Sequence, residues 1–264
     1  MLDTQTSKAL ELELKKCNVS FDGHIVLEDI NLLFKSGTKT GIIGNNGAGK
    51  STLFNLISGL LESSSSKITG SILLDTKDIS KLAPYKRADL NVGRIFQHPS
   101  LCEDLTLLDN IILGTRLKKS SGIFSSLFYP KYFLKSEIKK AETLMEEFEL
   151  SAFSKTNTEN LPYATRKIVE LARALMGDPK LLLLDEPCAS MNESERDKYK
   201  SLLNKYSETN DCTILIIEHD IDFLKATCES LLILNEGKAL AFGPTDQVLE
   251  NKSAMDTYYG VDTP

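Results

Sequence analysis

The segment Gly44-Asn45-Asn46-Gly47-Ala48-Gly49-Lys50-Ser51-Thr52 constrains this chain more than any other. It fits G-x-x-x-x-G-K-[ST], in which glycines let backbone N–H groups curl around phosphate oxygens at the start of a helix. The flanks agree with it. Thr38 to Gly44 reads as a short strand ending in glycine, and Lys50 to Leu61 carries Leu53, Phe54, Leu56 and Ile57 at helical spacing. In such a loop Lys50 neutralises the outer phosphates of ATP and Ser51 ligates Mg²⁺. A glycine-rich turn is the structural alternative, and the strand before it and helix after it weigh against that.

A second landmark is Leu181-Leu182-Leu183-Leu184-Asp185-Glu186, a buried-strand run ending in two carboxylates. At the carboxyl end of a parallel strand, where α/β sheets bind ligands, Asp185 is placed to hold the metal. Glu186 is then placed to orient or deprotonate the attacking water, because phosphoryl transfer needs a positioned nucleophile more than covalent chemistry. Two acids after a strand are otherwise a solvated turn. Ile216-Ile217-Glu218-His219-Asp220 repeats the arrangement on another strand, and His219 at its exit can donate a hydrogen bond to the terminal phosphate. Gln97, after Arg94-Ile95-Phe96, holds a similar strand-end position facing metal or water. Phe21 is the aromatic best placed to stack on adenine, against the plainer reading of a packed hairpin residue.

The remaining pattern supplies the frame. Residues 8 to 35 alternate apolar and polar positions (Leu10, Leu12, Leu14, then Ile25, Leu27, Ile30, Leu32) around an Asp22-Gly23 turn signal, which predicts antiparallel strands. The serine run Ser63 to Ser66 reads as a surface loop before a strand at Ser71 to Leu74. Leu105 to Leu150 is mostly helical, broken by Gly122 and Pro130, and predicts an inserted helical subdomain. The second half alternates: helix Arg166 to Met176, strand Leu181 to Leu184, helix Glu193 to Tyr206, strand Thr213 to Ile217, helix Ile221 to Thr227 and strand Leu231 to Leu234. Such alternation predicts a mostly parallel, covered sheet.

Composition narrows the function. A net charge of -6, without a basic arm or tract, argues against nucleic acid as a partner. Five scattered cysteines without C-x-x-C spacing read as reduced thiols rather than a zinc or redox site. Neither a signal-peptide pattern nor a run of about 20 apolar residues is present, so the expected place is the cytoplasm, with membrane contact only through partners.

The order Phe21, GNNGAGKST, Gln97, Leu161 to Arg173, LLLLDEP and His219 resembles the ATP-binding cassette family over nearly the whole chain. The resemblance implies an α/β P-loop NTPase with a mostly parallel core at about 1–96 and 178–264. It adds an N-terminal antiparallel β subdomain and a helical subdomain at about 97–177. It implies adenine stacking by Phe21, phosphate and metal binding by Gly44 to Thr52, metal contact by Gln97 and Asp185, catalysis by Glu186 and switching by His219. It also implies two cassettes, identical or different, that sandwich two ATP molecules and drive two membrane permease subunits on the inner face of the cell membrane. Several stretches are more specifically similar to the nucleotide-binding subunits of branched-chain amino-acid importers, which serve an external solute-binding protein. These are VGRIFQHPSLCEDLTLLDNIILG, the aromatic insertion at Gly122 to Leu134, PCASMNESE, and the ending from IIEHD to DTYYG. Urea-importer and lipopolysaccharide-exporter cassettes share parts of the pattern.

One segment departs from the family. Where cassette ATPases commonly read Leu-Ser-Gly-Gly-Gln, this chain has Leu161-Pro162-Tyr163-Ala164-Thr165. Pro162 supplies neither hydroxyl nor N–H, and Ala164 adds a methyl group where close approach to phosphate favours glycine. The expectation is a weakened site on the partner's nucleotide, while this chain's own loop is completed by the partner. The aromatic segment Ile123 to Leu134 reads either as a contact for a membrane partner or neighbouring cassette, or as a satellite core. A soluble regulatory cassette and a nearly inactive partner cassette are the competing readings. The first usually carries fused cassettes or long coiled coils, absent here; intact Lys50, Asp185, Glu186 and His219 oppose the second.

Overall fold

The computed structural model describes residues 8–61, 65–115 and 130–260. They fall into two compact units, one formed by residues up to Arg94 with Lys180–Pro187 and Leu203 onward, the other by Ile95–Pro179 with Cys188–Leu202.

In the first unit a hairpin of β1 (Leu12–Phe21) and β2 (His24–Phe34) turns at Asp22-Gly23, and β4 (Ser66–Leu74) pairs antiparallel with the other side of β1. Leu12 and Leu14 point into the core, but from Cys17 onward the inward positions change phase. An irregularity between Leu14 and Cys17 inserts one extra residue of β1 into the pairing, with Lys16 in the left-handed region at φ 48°. Ile25 differs from its predicted inward place and is exposed, because it pairs with Ser20 beside the hairpin turn. β4 begins at Ser66, so the serine run ends inside a strand rather than in a loop; Ser63 and Ser64 lie outside the described residues. A short β5 (Lys77–Asp78) completes the sheet order β2-β1-β4-β5.

The second sheet runs β10-β9-β3-β8-β7-β6, from β3 (Lys39–Ile43), β6 (Val92–Ile95), β7 (Leu181–Asp185), β8 (Thr213–Ile217), β9 (Ser230–Asn235) and β10 (Lys238–Pro244). β3 pairs in parallel with β8 and β9, and β7 with β8, while β10 returns antiparallel on β9. Every residue of β7 and β8 is buried, as their unbroken Leu and Ile runs require of strands covered on both faces.

Helix α1 (Lys50–Ser58) stops short of the predicted Leu61. The chain turns left-handed at Gly59, and Leu60 N–H closes on Asn55 O at 2.9 Å. The end of this helix is held by Arg87, on α2 (Pro84–Asp89). The buried guanidinium donates to Leu56 O at 2.6 Å, Ile57 O at 2.8 Å, Leu82 O at 2.9 Å and Ser80 O at 3.0 Å. Burial pulls its pKa down to about 10, yet it stays charged and faces the negative end of the helix dipole. The other helices of this unit are α7 (Ile221–Thr227), capped by the Asp220 carboxylate, α8 (Thr245–Glu250) and α9 (Lys252–Tyr259).

The second unit is helical: α3 (Leu107–Ile112), α4 (Pro130–Glu147), α5 (Tyr163–Met176) and the start of α6 (Glu193–Thr209). Ile111, Ala141, Met145, Phe148, Leu171 and Leu175 are buried. The buried Asn110 amide accepts from Cys102 N–H at 2.8 Å and donates to Cys102 O at 3.0 Å, which fixes the loop before α3. α5 begins at Tyr163, not Arg166, because Pro162 supplies the extended entry and the first intrahelical bond runs from Arg166 N–H to Pro162 O. The aromatic segment Ile123 to Leu134 lies outside the described residues, apart from the helical backbone that starts at Pro130.

The Arg87 clamp generates a stability prediction. Arg87→Met removes a charged donor from four carbonyl groups, and stability in urea denaturation should fall by about 3 kcal/mol. An unchanged denaturation midpoint would show that the clamp contributes nothing.

Candidate functional site

The loop between β3 and α1 passes so close to β9 that a β-carbon on Gly44 would sit 2.2 Å from Leu234 O. Gly49, at φ 101°, lies where a β-carbon would meet Leu27 Cδ2 at 2.8 Å and Val26 O at 3.0 Å. No other residue type fits either place, and together they set where the loop bends away and returns. Between them Asn45, Asn46 and Gly47 are exposed, while Ala48 is buried and its carbonyl accepts from Gly237 N–H at 3.0 Å. Ser51 is exposed at the helix start and Thr52 is half-buried. The buried Lys50 ammonium bends back into the loop, donating to Gly44 O at 2.6 Å and Asn45 O at 3.1 Å. Burial lowers its pKa, and the negative charges of Glu186 and Asp185 pull it back up.

Asp185 ends β7 and is buried. Its Oδ2 lies 3.2 Å from Arg94 Nη2, and Arg94 Nη1 donates to Asn55 Oδ1 at 2.7 Å and Ser58 Oγ at 2.9 Å. The guanidinium also lies 5.7 Å from the Phe54 ring centroid. Arg94 therefore ties the carboxylate of β7 to the helix that follows the loop. Burial lowers the Arg94 pKa, and Asp185 partly restores it. Sequence reading did not single out Arg94; the available signal was a charged residue between Val92 and Ile95 in a short strand, where only a paired charge is buried.

Glu186 takes the left-handed conformation at φ 46°, a strained choice for a residue with a β-carbon. Its N–H donates to Ile217 O at 2.9 Å, which anchors the turn to the neighbouring strand. The carboxylate meets His219 at 3.2 Å from Nε2 to Oε1. The direction of this bond follows the imidazole tautomer: Nε2 donates when it bears the ring proton. His219 thus faces Glu186 here, and a bond to phosphate requires the imidazole to turn or Glu186 to leave. Phe21, at the end of β1, is half-buried and packs against the core.

The other expected residues belong to the second unit. The Gln97 side chain is exposed just beyond β6. Leu161 is buried, Pro162 is the N-cap of α5 without a side-chain capping bond, and Tyr163, Ala164 and Thr165 form its first turn.

These residues fit a metal-bound nucleoside triphosphate. Mg²⁺ usually takes only one or two protein ligands, completing its shell with phosphate oxygens and water. Among the described residues no cluster of three His, Cys, Asp or Glu side chains could cage an ion alone, while a helix-start hydroxyl and a strand-end carboxylate are present. The cradle that excludes β-carbons at Gly44 and Gly49 is the matching feature for the phosphates.

Comparisons with known proteins agree. The family described as ABC transporter matches residues 27–189. The high-affinity branched-chain amino acid transport ATP-binding protein BraF of Pseudomonas aeruginosa is 30% identical over 252 residues, covering 94% of this chain and 97% of its own. The lipopolysaccharide export system ATP-binding protein LptB of Escherichia coli is 29% identical over 251 residues, covering 95% and 98%. Among solved structures, a nucleotide-free ATP-binding cassette from an ABC transporter superposes with a TM-score of 0.78 at 28% identity, covering 94% of this chain and 98% of that one. The chain belongs to the ABC transporter family, as one of its ATP-binding and ATP-hydrolysing subunits.

Proposed function

We propose that this chain powers uptake of a small solute of the branched-chain or related amino-acid class, as one cassette of a membrane importer. The observation that carries the hydrolytic part is the placement of Glu186, turned out of the strand end and held by His219 at 3.2 Å. Lys50 neutralises the outer phosphates, Gly44 to Thr52 wrap them with N–H groups, and Phe21 stacks on the base. Ser51 and Asp185 would hold Mg²⁺, which when bound would draw charge from the phosphate oxygens. Glu186 orients the attacking water and accepts its proton, and His219 releases Glu186 to contact the terminal phosphate. Arg94 holds the Asp185 carboxylate in place through their 3.2 Å ion pair.

The amino-acid assignment is supported by the 30% identity to BraF. Export of a lipopolysaccharide-type substrate is the second reading, supported by the near-equal identity to LptB. Either way the chain works with permease subunits; among the described residues no helix is long and apolar enough to cross a membrane. We further propose that it sits on the inner face of the cell membrane and closes on a second cassette. The first turn of α5, with Pro162 and Ala164, then faces the partner's nucleotide and completes that site poorly.

Three outcomes test this. Lys50→Ala should abolish ATP hydrolysis, and Glu186→Gln should retain ATP binding within about twofold while turnover falls roughly 10² to 10⁴-fold. Pro162→Ser with Ala164→Gly should raise the ATPase rate of the assembled complex at least about tenfold; an unchanged rate would mean that the native turn is fully competent. Mass spectrometry of what remains bound after mild detergent extraction should find two hydrophobic permeases and a second cassette, whereas a chain without membrane partners would end the transport reading.

A further inference from the structure

The two residues of the first unit that fit a metal ion, Ser51 at the start of α1 and Asp185 at the end of β7, sit on elements separated by a strand. α1 follows β3, and β8 lies between β3 and β7 in the sheet. A side chain makes the direct connection. Arg94, on β6, reaches Asp185 Oδ2 at 3.2 Å with Nη2, and with Nη1 it donates to Asn55 Oδ1 at 2.7 Å and Ser58 Oγ at 2.9 Å on α1. The Ser58 hydroxyl is itself oriented, because it donates its own proton to Phe54 O at 2.6 Å and so meets the guanidinium as an acceptor. The buried Phe54 ring lies 5.7 Å from the guanidinium carbon.

The side chains of this ion pair are only 8% and 10% exposed. Burying two charges carries a desolvation penalty that apolar packing of the same strand would avoid. What a guanidinium adds is shape. Its donors form a rigid planar fork, so three oxygen atoms on two elements are held at fixed separations, which an ammonium on a flexible stem does not do. Asn55 and Ser58 share α1 with Ser51, and the strut therefore fixes Asp185 relative to Ser51. Stiffness of this kind matters differently to the two common hard cations. Mg²⁺ demands near-ideal octahedral geometry, whereas Ca²⁺ accepts larger and looser shells, so a rigid pair of ligands favours the first.

We propose that Arg94 is a positioning residue that makes the nucleotide site selective for Mg²⁺ over Ca²⁺, by holding Asp185 at a fixed place relative to Ser51. Its effect is on the choice of metal. The grip on phosphate belongs to Lys50 and to the glycine cradle. This inference rests on the reading above in which Ser51 and Asp185 hold the metal.

The test loads the full chain with a non-hydrolysable ATP analogue and Mn²⁺, and reads Mg²⁺ and Ca²⁺ affinities from displacement of the bound Mn²⁺ by electron paramagnetic resonance. Arg94→Met removes strut and charge together. The lost charge strengthens the pull of Asp185 on either cation, which cancels in the ratio of Mg²⁺ to Ca²⁺ affinity. That ratio should fall roughly tenfold, as loss of an outer-shell partner typically does to metal affinity. Asn55→Leu combined with Ser58→Ala releases the strut from α1 and leaves every charge in place. It should weaken Mg²⁺ about tenfold, while Ca²⁺ affinity and analogue affinity in chelator stay within about threefold. If Arg94→Met does not fold, the double variant decides. Equal loss for both metals overturns the proposal, and so does a native ratio in folded variants with a lowered urea midpoint, the mark of a purely structural strut. Unchanged metal affinities in Asp185→Asn would sink the metal assignment beneath it, and the proposal with it.

Discussion

The close approach of the Gly44 loop to the backbone of β9 sets the rest of the site. With 2.2 Å between a would-be β-carbon and Leu234 O, the chain can leave β3 in only one direction. That direction delivers Gly49 and Lys50 to the start of α1, so the lysine lies inside the loop and within the field of Asp185 and Glu186. Everything downstream answers to this geometry. Arg87 holds the far end of α1, and Arg94 ties its flank to the carboxylate of β7. The helix that presents the loop is fixed at the start by shape and elsewhere by charge.

Much of this frame was legible in the sequence because it rests on local rules. The fully buried strands Leu181–Asp185 and Thr213–Ile217 show as apolar runs, and Asp22-Gly23 announces its hairpin. The loop and the paired acids are readable because their chemistry demands particular residue types at fixed spacing. What escaped reading depends on distant partners. The phase change after Leu14 follows from an irregular pairing with β2, and the exposure of Ile25 from its place beside a turn. The early start of α5 turns on Pro162, whose fixed φ suits a helix entry as well as a loop.

The buried cations were the least legible feature of all. Arg87, Arg94 and Lys167 look in sequence like ordinary surface charges on short elements. Each is instead bonded to oxygen atoms far along the chain: carbonyls at the end of α1, a carboxylate at the end of β7, carbonyls at Phe96 and Gln97. Such groups are tolerated only where their partners are complete, so their positions are set by long-range topology rather than by local propensity.

The left-handed turn at Glu186 has an evolutionary consequence. A side chain there is held against its backbone preference, and glycine or asparagine at the same place would relieve the strain without any other change in the fold. Selection for stability and selection for turnover therefore pull this position in opposite directions. With the role proposed above for Glu186, descendants released from the need to hydrolyse would drift toward the relaxed residue.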